Sequence, residues 1–210
     1  MYRIDRNNYF DNQKKSTVYT PNELSEYLFN LLKDKISKGY IFDPCVGKGS
    51  LLKPWGKAGW EVKGVDIENQ GFKNTILKNY LEITLDNLDN KKPALIVMNP
   101  PFNIDIKTQE YIKNNKEKFG SSRPFLPEVW LKKVIELFGK NIPILMFTPY
   151  GFRLNPTSKS ARWKRFIKND YPEISSIISL PKDIYKEVMF HSEIIIYNIN
   201  NLRPHYFFNK

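Results

Sequence analysis

The amino-acid sequence predicts an α/β fold in which helices cover both faces of a doubly wound, mostly parallel sheet of seven strands. Short apolar runs alternate along the chain with amphipathic helical stretches, as expected when a crossover helix follows each parallel strand. The last two apolar runs, at 175–180 and 193–199, lie too close together for such a crossover. We therefore expect one antiparallel strand near the C-terminus.

The first helix is predicted to begin at Thr20 and Pro21. Threonine is a good N-cap, proline suits the first helical position, and Glu23 completes the pattern of a capping box. The other elements follow from the spacing of apolar and turn residues. The predicted strands are 40–42, 61–66, 81–85, 94–98, 143–147, 175–180 and 193–199, and the predicted helices are 50–58, 69–77, 106–118, 127–138 and 161–168.

The 210 residues are expected to form one main domain at 19–202, preceded by a polar arm at 1–18 and followed by a tail at 203–210. The single cysteine cannot form an internal disulfide, which is typical of a cytoplasmic protein. The sequence contains no apolar run of signal-peptide or membrane-spanning length, so we expect no membrane partner.

Basic residues outnumber acidic ones by 33 to 22, and the resulting charge of +11 favours a polyanionic partner such as DNA or RNA. Compositional drift explains part of this excess equally well, because the chain is rich in lysine, asparagine and isoleucine. The charge is concentrated between residues 153 and 168, where aromatic residues are interleaved. A solvated amphipathic helix has the same pattern. The candidate nucleic-acid contacts are Arg153, Lys159, Arg162, Lys164 and Arg165.

The sequence Asn99-Pro100-Pro101-Phe102 directly follows the predicted strand at 94–98. A side-chain amide accepts hydrogen bonds from an exocyclic amine, two prolines fix the backbone that carries it, and phenylalanine stacks on a flat ring. These residues predict a pocket for an aminated heterocycle. A purely structural rigid loop is the alternative interpretation.

A second loop, from Asp43 to Gly49, joins a predicted strand to a helix. Its glycines let the backbone approach a ligand closely, and the following helix directs its amide groups at the turn. Asp43 is placed to bind the ammonium of an amino-acid moiety. A phosphate-binding loop requires glycine where Asp43 stands, and a dinucleotide fingerprint requires glycine where Leu52 stands, so both of these sites are excluded.

The next predicted strand ends in Asp66, at the spacing expected for an acid that binds the ribose hydroxyls of an adenosine-containing cofactor. Ile67 would lie beside the adenine, and Glu68 is a less favoured substitute for Asp66. Because the carboxyl ends of parallel strands meet at one edge of a sheet, we expect all these loops to lie together. The pattern indicates a methyl donor site beside an acceptor site.

Taken together, Tyr19-Thr20-Pro21, the loop at 43–49 (the glycine turn), Asp66 and Asn99-Pro100-Pro101-Phe102 resemble the S-adenosylmethionine-dependent adenine-N6 DNA methyltransferases, especially the modification subunits of restriction-modification systems. The resemblance implies a class I, Rossmann-like methyltransferase fold for 19–202, with S-adenosyl-L-methionine as the cofactor and DNA as the substrate. It also implies that a separate recognition subunit is a possible partner.

The resemblance further implies the role of each site residue. Asn79 stands where the family commonly has an acid that contacts the cofactor adenine. Asn99 Oδ1 and the Pro100 carbonyl would accept the two N6 hydrogens of the target adenine, and Phe102 would stack on that base. No metal is expected, because the two histidines are too few and too isolated to form a metal site. The cofactor would be bound by Tyr19, Thr20, Pro21, Asp43, Pro44, Gly47, Gly49, Asp66, Ile67 and Asn79.

Three alternatives stay open at the level of the sequence. The substrate of such an enzyme is adenine in RNA, or a glutamine side chain in a protein, if it is not adenine in DNA. The third alternative belongs to another class: a nucleic-acid-binding subunit that keeps the fold without turnover. Asn79 and the short chain slightly favour the third alternative, whereas the intact Asn99-Pro100-Pro101 disfavours it.

Overall fold

The computed structural model describes residues 19–101, 106–119, 126–152, 161–185 and 191–209. In this part of the chain, eight strands form one mixed sheet in the order β3-β2-β1-β4-β5-β7-β6-β8. The strands are β1 (Tyr40–Asp43), β2 (Glu61–Asp66), β3 (Thr75–Leu77), β4 (Leu95–Met98), β5 (Ile144–Pro149), β6 (Ile174–Ser179), β7 (Ser192–Tyr197) and β8 (His205–Phe207).

The sheet is parallel from β3 to β5 and mixed beyond it. β7 lies between β5 and β6 and is antiparallel to both, whereas β8 pairs with β6 in parallel. The antiparallel strand predicted near the C-terminus is therefore confirmed, and it is β7. Every residue of β7 is buried, because the strand has a neighbour on each side and packing on both faces.

Apolar side chains cover both faces of the sheet, as expected for a doubly wound fold. Successive residues of β1 face opposite layers: Phe42 packs with α5, and Ile41 packs with α1 and α2. The helices are α1 (Asn22–Leu32), α2 (Lys53–Lys57), α3 (Ile106–Asn114), α4 (Lys116–Phe119), α5 (Leu126–Phe138) and α6 (Ala161–Ile167). Within the described ranges, none of them is long and apolar enough to cross a membrane.

Two predicted elements are wrong. The helix predicted at 69–77 is a loop followed by β3, because Gly71 adopts a positive φ of 85° and the Asn74 carbonyl accepts a hydrogen bond from the N–H of Gly64 in β2. The strand predicted at 81–85 is replaced by two 3₁₀ helices, Tyr80–Glu82 and Asp86–Leu88. In the first of these, the Asn79 side chain caps the turn by accepting from the N–H of Leu81.

The strand count also differs from the predicted seven, since β3 and β8 are present and 81–85 is not a strand. β8 lies within the segment predicted as a tail. The predicted capping box is wrong as well. α1 begins at Asn22 after Pro21, which makes no side-chain cap, and the hydroxyl of Thr20 bonds elsewhere.

Candidate active site

The glycine turn and the loop that begins at Asn99 (the Asn99 loop) lie side by side at the carboxyl edge of the sheet. β1 and β4 are adjacent and parallel, with Phe42 in register with Ile96. Asp43 ends β1, and Asn99 follows the last residue of β4. The backbone N–H of Asn99 lies near the Cys45 thiol and partly offsets the rise that burial causes in its pKa, so the two loops adjoin.

The Asn99 side chain is held by the segment that precedes α1. Its amide nitrogen, Nδ2, donates to the Oγ1 of Thr20 at 3.3 Å, and Thr20 is buried. Because this bond uses the nitrogen, Oδ1 keeps its capacity to accept, and it accepts no hydrogen bond from the part of the chain that the structure describes. The amide therefore presents an acceptor at the edge where the two loops meet.

Asp43 is a buried carboxyl group at the tip of β1. It is 2% exposed and accepts a hydrogen bond of 2.9 Å from the N–H of Cys45. Burial raises the pKa of the Asp43 carboxyl to about 7, since the charged form loses its hydration. No lysine or arginine among the described residues pairs with it. A cationic ligand such as an ammonium group fits this position.

Asp66 ties the end of β2 to the glycine turn. Its Oδ2 accepts from the N–H of Gly47 at 2.8 Å, and its Oδ1 accepts from the N–H of Glu68 at 3.0 Å. Each carboxylate oxygen has a second lone pair, so Asp66 retains the capacity to accept from ribose hydroxyls. Ile67, the predicted neighbour of the adenine, is 55% exposed.

Glycine is required at two positions of the turn. Gly47 and Gly49 have φ angles of 50° and 75°, in the region that residues with a Cβ rarely adopt. At Gly49, a Cβ would also lie 2.2 Å from the ring of Phe72. The turn therefore depends on both residues, and Phe72 from the loop after β2 packs directly on it.

Tyr19 covers the glycine turn from the other side. Its ring lies 3.7 Å from the position that a Cβ of Gly47 would take, and the Lys48 ammonium lies 4.2 Å from the ring centroid. The Tyr19 hydroxyl donates to Oε1 of Gln70 at 3.0 Å. Tyr19 thus links the segment before α1 to the loop after β2. Of the predicted prolines nearby, Pro44 and Pro100 are buried.

The sequence from residue 2 to residue 58 matches the family model of the N-6 DNA methylases. The matched segment holds Tyr19-Thr20-Pro21 and the glycine turn. Over this segment, the resemblance to the N-6 DNA methylases is confirmed. No curated protein sequence matches the chain significantly.

Solved methyltransferase structures share the fold of this chain. A protein assigned as a modification subunit of a type I restriction enzyme from Vibrio vulnificus has a TM-score of 0.64 at 12% identity, over 86% of this chain and 44% of that protein. The type I restriction-modification methyltransferase subunit of Streptococcus thermophilus gives 0.64 at 17%, over 90% and 46%. A protein of Listeria monocytogenes assigned as a class I S-adenosylmethionine-dependent methyltransferase gives 0.62 at 19%, over 90% and 64%.

The chain therefore has the fold of these solved methyltransferase structures. At these identities the likeness shows the fold alone. The chain spans less than half of the length of the first two of these proteins.

Asn79, a predicted cofactor contact, has a structural role in this chain. It precedes the 3₁₀ helix Tyr80–Glu82, and its Oδ1 accepts from the N–H of Leu81 at 3.0 Å. The side-chain oxygen of Asn79 therefore already accepts a backbone hydrogen bond, and its NH₂ group remains available to other partners. A contact between Asn79 and a cofactor stays a prediction.

Arg165, a predicted nucleic-acid contact, has partners within the protein. Its Nη1 lies 2.5 Å from Oε1 of Glu128, a buried residue of α5, and 3.3 Å from the hydroxyl of Tyr171. The Tyr171 hydroxyl donates to the same Glu128 oxygen. These bonds join α6 to α5. Lys164, the preceding residue of α6, is exposed.

Replacing Arg165 by alanine is expected to lower the free energy of unfolding by about 1–3 kcal/mol, because a buried carboxylate loses its cation. Lys164→Ala, on the same helix, should change it by less than about 0.5 kcal/mol. Urea unfolding of the two variants and the wild type tests the difference. Equal unfolding midpoints would contradict a structural role for Arg165.

Several predicted residues lie outside the described part of the chain. They are Phe102, Arg153 and Lys159, together with the arm at 1–18, and the Arg162 side chain is not described either. Sequence analysis in turn missed Gln70 and Phe72, which contact Tyr19 and Gly49. Gly71, which lies between these two residues and is unfavourable in a helix, is the sequence signal that indicates a loop here instead of the predicted helix.

Proposed function

We propose that this protein transfers a methyl group from S-adenosyl-L-methionine to the N6 amine of adenine in DNA. The observation that carries the proposal is that the two loops adjoin: Asp43 ends β1, Asn99 follows the neighbouring parallel strand β4, and the Asn99 side chain bonds Thr20. A donor site and an acceptor site at adjacent strand ends can share one cleft. The match to the N-6 DNA methylases supports the same assignment.

The residues at the tips of β1 and β2 fit the cofactor. Asp43 offers a buried carboxylate to the ammonium of the methionine moiety, and Asp66 offers free lone pairs to the ribose hydroxyls. Gly47 and Gly49 keep the turn free of side chains. When bound, S-adenosylmethionine supplies an activated methyl group on a positively charged sulfur.

On the acceptor side, Asn99 and Pro100 are proposed to bind the N6 amine of adenine and to make its lone pair available for reaction. The N6 lone pair of adenine is delocalised into the ring, so acceptors on both N–H groups draw the nitrogen toward tetrahedral geometry. Asn99 Oδ1 is available as one acceptor, and the carbonyl of Pro100 is the second in this proposal. The lone pair would then form the new bond to the methyl carbon while the carbon–sulfur bond breaks with its electron pair on sulfur, which leaves as the thioether, and N6 would release its proton to solvent. The residues act by positioning and charge complementarity, and Phe102 is proposed to stack on the base.

The choice of DNA rests on the match to the N-6 DNA methylases and on the charge of +11. A target base in a duplex must be flipped out, at a cost of a few kcal/mol that backbone contacts offset. Exposed Lys164 is a candidate for such a contact, with Arg153, Lys159 and Arg162. A separate recognition subunit is proposed to add sequence specificity.

The test is a methylation assay on double-stranded DNA, single-stranded DNA and RNA, with methyl-labelled cofactor and identification of the product nucleosides by mass spectrometry. We expect N6-methyladenine from DNA. Label in RNA alone, or on a glutamine side chain of a protein, would refute the proposal that DNA is the substrate. Calorimetry with S-adenosylmethionine completes the test, because one-to-one binding without any label would indicate a silent subunit.

A further inference from the structure

An exposed aromatic side chain lies at the same edge as the Asn99 loop and has no role in the proposed reaction. Tyr150 directly follows β5 and is 58% exposed. Its ring centroid lies 6.4 Å from that of His191, the residue before β7, at an interplanar angle of 56°. An exposed tyrosine at a strand end presents one ring face on which another flat ring can stack.

The backbone around Tyr150 is fixed rather than free to turn the ring inward. The N–H of Tyr150 donates to the His191 carbonyl at 2.9 Å, which continues the pairing of Pro149 with Ser192. Gly151 then takes a positive φ of 94°, and Phe152 is buried against Phe166. The chain thus buries one aromatic residue of the turn and holds the other one in solvent.

The sheet register sets the distance between Tyr150 and the acceptor loop. β4 and β5 are adjacent, and Met98 is in register with Met146. Continuing that register places Asn99 level with Phe147, so Tyr150 lies three residues, or about 10 Å, further out. At about 3.4 Å per stacked base, this distance corresponds to about three nucleotides. Tyr150 is therefore positioned for a base about three nucleotides from the one at Asn99, not for that base itself.

We propose that Tyr150, beside His191, is a stacking platform for a nucleobase about three nucleotides from the target adenine in a single strand or an opened duplex. This inference rests on the proposed function, which supplies the nucleic-acid substrate. Charge complementarity favours a nucleic acid as the occupant: the chain has a net charge of +11, and exposed Lys164 lies on α6, whose Phe166 packs against Phe152. In sites that bind single-stranded nucleic acids, basic groups contact the phosphates and aromatic rings stack on the bases.

The test separates base stacking from phosphate attraction. Fluorescence anisotropy at one fixed salt concentration measures binding of a short single-stranded DNA and of an abasic oligonucleotide with the same number of phosphates. We expect Tyr150→Ala to weaken binding of the base-bearing strand about 5- to 150-fold, the range for loss of one stacked base, and to leave the abasic strand unchanged. Tyr150→Phe should retain wild-type affinity, because it keeps the ring.

Phe207→Ala is the matched control, since Phe207 is a 71% exposed aromatic residue in β8 at the edge of the sheet. It should not alter either affinity. Equal affinity of the wild type for the two oligonucleotides, or an equal loss for both strands in Tyr150→Ala, would overturn the proposal. The assay contains no cofactor, so failure of methyl transfer would leave its result intact, and a negative result here would leave N6-methyladenine formation as a separate question.

Discussion

Asn99→Ala is expected to lower the rate of methyl transfer to adenine by about 10²–10³-fold, the usual cost of removing one preorganised hydrogen-bonding group at a reacting centre. In the structure, Thr20 holds the Asn99 amide nitrogen, and the amide oxygen remains as an acceptor. The alanine variant lacks that acceptor, so the N6 lone pair stays delocalised. The initial rate of label incorporation into DNA measures the effect, and calorimetry should show unchanged cofactor affinity.

Two further variants make this result specific. Asn200→Ala removes an exposed asparagine that lies outside the site and should leave the rate unchanged. Thr20→Val removes only the hydroxyl that orients Asn99, so a smaller loss of rate is expected. A wild-type rate for Asn99→Ala would refute the acceptor role of this side chain.

The cofactor-free protein is expected to lose stability as the pH rises from about 4 through 7. The ordinary pKa of the Asp43 carboxyl is 3.8, and burial raises it to about 7 in the folded protein. Between these values the unfolded chain releases a proton that the folded protein keeps, so rising pH favours unfolding. The full effect amounts to about 4 kcal/mol, of which about 2–3 kcal/mol falls between pH 5 and pH 7.5.

Urea unfolding at those two pH values measures the effect, and Asp43→Asn is the control. The asparagine keeps the acceptor for the Cys45 N–H and cannot ionise. The unfolding free energy of this variant should therefore fall by about 2–3 kcal/mol less than that of the wild type between pH 5 and pH 7.5. Adding S-adenosylhomocysteine, which carries the same ammonium, should restore stability at the higher pH. Identical pH profiles for the wild type and Asp43→Asn would rule out a buried, uncompensated Asp43.

Most of the sheet could be predicted from the sequence, because β1, β2, β4, β5, β6 and β7 are apolar runs between turn residues. β3 and β8 could not, since each is three residues long and partly exposed, with Leu77 and Phe207 in solvent. Such strands form through pairing with a neighbour rather than through their own pattern. The turn residue Gly71 was present in the sequence but was outweighed by the apolar spacing at 69–77.

The part of the candidate site that depends on the order of the strands could be predicted from the sequence, whereas its long-range hydrogen bonds could not. Asp43 and Asn99 had to lie together once their strands were adjacent and parallel, which follows from topology. The hydrogen bond from Asn99 to Thr20 spans 79 positions of the sequence, and the one from Arg165 to Glu128 spans 37. No local pattern encodes such contacts, and for that reason Thr20 was predicted as a cap and Arg165 as a ligand of DNA.

The two outermost strands, β3 and β8, also bear on how copies of the protein meet in solution. A sheet with long open margins offers rows of unpaired peptide groups on which another molecule can extend the ladder. Among the described residues, each margin is only three residues long, so an incoming strand would gain few backbone bonds there. The geometry disfavours growth of the sheet from one molecule into the next and leaves association to side-chain surfaces.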